Sequence, residues 1–75
     1  QSRVTRHPYE LVDPLSEREV EVLRLLQTNL SSPEIADELI IAVSTVRTHI
    51  KNIYGKLGVH SRTQAVDEAK DLGIL

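Results

Sequence analysis

The chain has no cysteine, methionine, tryptophan or phenylalanine, and its only aromatic residues are Tyr9 and Tyr54. Without cysteine there is neither a disulfide nor a thiolate-bound metal, which fits a reducing compartment; the cytoplasm is the expected location. Without phenylalanine and tryptophan, Leu, Ile, Val and Ala must build the core, and that suits helices packed on helices. The longest apolar runs are a few residues, far short of the roughly 20 that span a bilayer. No signal-peptide pattern opens the chain, so no membrane partner is expected. It begins at Gln1 rather than methionine and is read as part of something longer. Its 75 residues suffice for one domain with one modest core. A core of that size rarely supplies more than about 3–5 kcal/mol. It has no room for a deep pocket, and no Ser-His-Asp or paired-carboxylate arrangement stands out. Neither an enzyme nor a cofactor is expected.

The net charge of −2 argues against nucleic acid, for which a basic domain is the simple expectation. The distribution says something different. From Ala42 through Val66 there is no Asp or Glu, while Arg47, Lys51, Lys56, Arg62, His49 and His60 all fall there. The acids lie from Glu10 to Glu38 and from Asp67 to Asp71. An acidic chain thus carries one basic band. His49 and His60 have no cysteine and no i, i+4 partner, so no metal site is expected.

Residues 1–14 show no helical period and contain Pro8 and Pro14. They read as a linker or flexible arm, made mildly basic by Arg3, Arg6 and His7. A first helix opens at Ser16, where Ser16 and Glu19 have capping-box spacing. Val20, Leu23, Leu26 and Leu30 follow at helical spacing, and Asn29 is the expected left-handed stop. A second, short helix opens at Ser31 with Glu34 as a second capping box and Pro33 in the first turn. Ile35, Ala36 and Leu39 are its buried side, and Ile40 and Ile41 lead into a tight turn. The third helix runs from about Val43 to Leu57, stopped by Gly58. A fourth opens with Ser61 and Gln64, a third capping box, and runs to about Leu72 on a stripe of Ala65, Val66, Ala69 and Leu72. The expected fold is an all-α four-helix bundle over 15–75.

The third helix carries the chemistry. At about 100° per residue from Ser44, Val46, Ile50, Ile53 and Leu57 cluster between about 180° and 240°. Arg47, Thr48, Lys51 and Gly55 cluster on the opposite side, between about 300° and 40°. An ordinary surface helix mixes charges of both signs, whereas this face has no acid. The B-DNA major groove admits one helix. Arg and Lys donate there to guanine O6 and N7, and a Thr methyl meets a thymine methyl. Gly55 either lets the backbone pass close to a duplex or is a tolerated glycine costing about 1 kcal/mol. The second and third helices have helix-turn-helix proportions, which puts the Ser31–Ser32 helix start against a phosphate.

These residues resemble a known family. The run Leu15 to Leu23, then Glu34-Ile35-Ala36, Thr45 to His49 and Lys56 to Val59 resemble the LuxR-type, or NarL-type, helix-turn-helix domain of bacterial transcriptional regulators. The resemblance covers about 15–75. The stretch from Ser44 to Val66 is most similar to the C-terminal domain of the large MalT-like regulators, which implies effector-sensing and ATP-binding parts before Gln1. It implies sequence-specific binding of double-stranded DNA, with Arg47, Thr48 and Lys51 at base edges. Ser44, Thr45 and Lys56 join Ser31 and Ser32 at phosphates. It also implies a weak homodimer formed on DNA through the fourth helix, where Ala65 and Ala69 permit close approach unless they only pack inward. RNA polymerase is a further expected partner. Ala42 stands where many relatives have a capping Ser or Thr, and Ser44 is a possible substitute. Two alternatives remain open: a helical protein-interaction module, and a sigma-factor-like promoter-binding domain.

Overall fold

Three of the four helices begin where a serine hydroxyl accepts an otherwise unpaired backbone amide. In the computed structural model, which describes residues 14–75, α1 is Glu17–Leu26, α2 Ser32–Leu39, α3 Val43–Leu57 and α4 Arg62–Asp71. Among the described residues there is no strand. The tether expected over 1–14 lies, apart from Pro14, outside the described residues. At α1, Ser16 Oγ accepts from the Glu19 amide at 3.1 Å and Glu19 Oε1 accepts from the Ser16 amide at 2.9 Å. Ser31 and Glu34 repeat the arrangement at α2, at 3.3 and 2.8 Å. The third expected box is only half formed. Ser61 Oγ accepts from the Gln64 amide at 3.2 Å, but Gln64 Oε1 reaches one residue further back, to the His60 amide at 2.8 Å.

The start of α3 is different. Ala42 is its N-cap and makes no side-chain bond, and the helix begins at Val43. Ser44 lies inside the first turn and does not substitute as the cap. The first turn also contains no acid, so the partial positive charge of this helix start is unopposed locally.

Helix ends depart from expectation at two places. Asn29 is not left-handed, because Ile40 is the one non-glycine residue with positive φ among those described. The end of α1 is closed by a side chain from elsewhere. Arg62 Nε donates to the Leu26 carbonyl at 2.7 Å, and Arg62 Nη2 donates to those of Leu25 at 3.4 Å and Thr28 at 2.7 Å. A guanidinium thereby gives a charged donor to carbonyls at the negative end of the helix, of which that of Leu25 also accepts from the Thr28 amide at 3.1 Å. At the end of α2, Ile40 adopts φ 57°, ψ 51° and is 90% exposed. The Ile41 amide then donates back to the Ala36 carbonyl at 3.0 Å. Gly58 makes the same left-handed turn after α3, at φ 70°, without a Cβ to oppose it.

All four helices contribute to one core: Val22, Leu23 and Leu26 from α1, Ile35 and Ala36 from α2, Val46, Ile53 and Leu57 from α3, Ala65 and Ala69 from α4. Helix α3 packs against each of the other three. Its inner face is therefore fixed by the core, and that fixes which face points away.

Candidate nucleic-acid interface

Burial divides α3 as the helical period requires. Val46, Ile53 and Leu57 are buried and Ile50 is half-buried, while Arg47, Thr48, Lys51 and Gly55 are exposed together on the other side. Among the described residues, neither Arg47 nor Lys51 makes an ion pair or a side-chain hydrogen bond. The outer surface of α1 is the contrast, since Arg18 and Glu21 pair there at 3.1 Å. Thr48 Oγ1 donates to the Ser44 carbonyl at 3.0 Å. It has a methyl and an accepting oxygen left for an outside partner.

The other two cations of the acid-free band point elsewhere. Arg62 closes the end of α1. Lys56 Nζ donates to Glu19 Oε1 at 2.8 Å and to the Pro14 carbonyl at 3.3 Å, tying the last turn of α3 to the first turn of α1. The Lys56 side chain is 26% exposed and that of Glu19 only 6%. Burial alone would raise the Glu19 carboxyl. Hydrogen bonds from Lys56 and Ser16, with the Lys56 charge, outweigh it and hold the carboxyl below its ordinary value. Two of the three ammonium donors of Lys56 are thus spent inside the fold. Sequence reasoning gave Lys56 to a phosphate; the structure engages it internally first.

The start of α2 is also less free than its serines suggest. Ser31 gives its amide to Glu34 and its hydroxyl oxygen to the Glu34 amide, and Pro33 has no amide. The Glu34 carboxyl is held below its ordinary value by the Ser31 hydrogen bonds, so an acid caps this helix. What remains for an anion is the Ser32 amide and the two hydroxyl hydrogens. Ser44 and Thr45 are exposed in the first turn of α3, where no acid competes.

On α4 the expected dimer contacts are corrected. Ala65 and Ala69 are both 0% exposed and belong to this chain's own core. A small side chain on one face lets helices approach closely, and here it lets α4 approach α1 and α3. No surface of either alanine is left for a second copy.

A family model described as bacterial regulatory proteins, luxR family, matches residues 13–69. The chain belongs to the luxR family. Relatives agree with this. The Fimbriae Z protein of Escherichia coli K12 is 52% identical over 79% of this chain and 28% of its own length. The HTH-type transcriptional regulator MalT of Serratia proteamaculans is 43% identical over 93% of this chain but only 8% of its own. Among solved structures, the response regulator ChrA of a heme-sensing two-component system superposes with a TM-score of 0.81 at 41% identity, over 84% of this chain and 31% of that one. The chain therefore spans less than a third of each of these proteins.

Within this luxR-family domain, Arg47, Thr48 and Lys51 share one exposed face, with Ser44 and Thr45 at its helix start. Ser31 and Ser32 stand at the start of a different helix, Lys56 turns to α1, and Ala65 and Ala69 are interior. Sequence reasoning missed the Arg62 cap and the Glu19–Lys56 tie. No local pattern signals them, because the partners lie 36 and 37 residues apart. Among the described residues no helix is long and apolar enough to cross a membrane.

Proposed function

We propose that this luxR-family domain binds double-stranded DNA sequence-specifically as the DNA-reading part of a bacterial transcriptional regulator, with α3 in the major groove. One observation carries the reading: an exposed helix face with two unpaired cations and no acid, set rigidly on a core. Arg47 and Lys51 donate to base edges and Thr48 supplies a methyl contact. Ser44 and Thr45, with the open amides of the first turn of α3, take phosphates, as do the remaining donors of Ser31 and Ser32. Lys56 adds its third donor at most. One recognition helix reads too few base pairs for a genomic site, so two copies pair on repeated half-sites. On α4 such pairing must use exposed residues such as Thr63, Asp67 and Lys70. RNA polymerase is a further partner of the parent protein, which acts in the cytoplasm.

Selection of binding sites from random duplex DNA tests this. A consensus should emerge, and sedimentation on it should find two chains per duplex with cooperative loading. A protein-interaction module would enrich no sequence, and one chain per duplex at saturation would remove the pairing.

A further inference from the structure

Gly55 has no reason to be glycine within this chain. It lies inside α3, where glycine is among the poorest residues for helix formation. Its backbone is not left-handed, unlike that of Gly58 and Gly73. A Cβ built on it would meet nothing within 4 Å, so no neighbouring element needs the space. The local cost has no return inside the fold, and natural chains break such local rules mainly at functional sites.

Its position names that contact. Gly55 is on the face of Arg47 and Lys51, about 6 Å beyond Lys51 and about 12 Å beyond Arg47 along the axis. The major groove is about 12 Å wide. With Arg47 at a base edge, the helix reaches the groove wall near Gly55, and that wall is a sugar–phosphate strand. The surface there is already concave. An open depression of about 660 Å³ runs along this side of α3 to the α3–α4 turn, with Arg47, Lys51, Tyr54, Gly55 and His60 among its lining residues and no acid.

We propose that the Gly55 notch is a seat for one sugar–phosphate strand of the duplex, letting the backbone of α3 lie against the groove wall while Arg47 and Lys51 reach the bases. This rests on the DNA-binding reading above and adds a steric requirement to it. A side chain at 55 holds the helix away from the strand and withdraws both cations together.

Gly55→Ala separates binding from folding. The added methyl improves helix formation and meets nothing inside the chain, so Tm should rise by about 4–8 °C. Affinity for the selected site should nevertheless fall about tenfold, as for an overpacked methyl, and further for Gly55→Gln. Ethylation of single phosphates gives a second readout. One wall phosphate should block the wild-type domain when ethylated and matter much less to Gly55→Ala, whose helix already stands off. Wild-type affinity in Gly55→Ala, with an unchanged ethylation pattern, overturns the seat. If Arg47→Ala still relaxes the consensus in that case, only the seat falls. If the wild-type domain selects no sequence at all, the DNA reading falls with it.

Discussion

Two pairs of cations come from one acid-free stretch and meet opposite fates. Arg47 and Lys51 stand on the outer side of α3, exposed and unpaired among the described residues. Lys56 and Arg62 face α1 instead, one bound to Glu19 and the other to carbonyls at the end of that helix. Composition alone counts four equal charges in a basic band. The fold leaves two of them unpaired on its surface and uses the other two to fasten α1. A basic stretch in a small domain is thus not a footprint until the cations engaged by their own chain are subtracted.

The largest effect should come from the fastening pair. Arg62→Ala strips three carbonyls at the end of α1 of a charged donor and should cost about 2–3 kcal/mol of stability. Urea unfolding would measure it. Arg62→Lys should recover less than half, because a point charge does not reproduce the planar fork. A loss below about 0.5 kcal/mol would reduce the cap to a surface contact.

Arg47→Ala should behave in the opposite way, leaving the urea midpoint nearly unchanged while costing about 1–3 kcal/mol of binding and relaxing preference at one base pair. Equal weakening on every sequence would reassign Arg47 to a phosphate.

Lys56→Ala comes next, at about 1–2 kcal/mol of stability, because it strands a nearly buried carboxylate. Its pH dependence checks the cause. Glu19 is held below its ordinary value of 4.5 in the folded state, so its contribution is full above that value and is lost as pH falls through the lower folded one. The acid limb of the stability curve should flatten in Lys56→Ala. An unchanged limb would mean that Glu19 is held by its Ser16 cap alone. The salt slope of DNA binding should fall by less than the full unit expected for a free phosphate contact.

The smallest effect is a gain. Ile40 is β-branched, left-handed and 90% exposed, so it bears strain and buries little. Ile40→Gly should stabilise the domain by about 1 kcal/mol, seen as a raised Tm. Destabilisation would show that the Ile40 side chain has packing worth more than its strain.

The parts of this fold that were legible in the sequence are local. Serine caps at 16, 31 and 61, the apolar period of each helix and the glycine after α3 all act within a few residues. The outer face of α3 was legible for the same reason, since 3.6 residues per turn places Arg47, Thr48 and Lys51 together before any packing is known. What could not be read depends on the other helices. The end of α1 needed no left-handed Asn29 because Arg62 comes from α4 to close it. Left-handed geometry went instead to Ile40, where α2 must turn sharply into α3. Ala65 and Ala69 form a small-residue stripe that suits inward or outward packing equally, and only burial distinguishes the two. Lys56 has the charge of a phosphate ligand, but Glu19 lies 37 residues away in sequence and 2.8 Å away in space.

The division between the two pairs of cations is tested most directly by titrating selected and scrambled duplexes into Arg47→Ala and Arg62→Ala side by side, under conditions where both remain folded. Arg47→Ala should lose about 1–3 kcal/mol of its preference for the selected duplex, while Arg62→Ala should retain wild-type affinity and preference despite its lower stability. Loss of preference in Arg62→Ala with Arg47→Ala unaffected would contradict the account, because the DNA-reading surface would then lie on the side of the domain assigned here to holding α1.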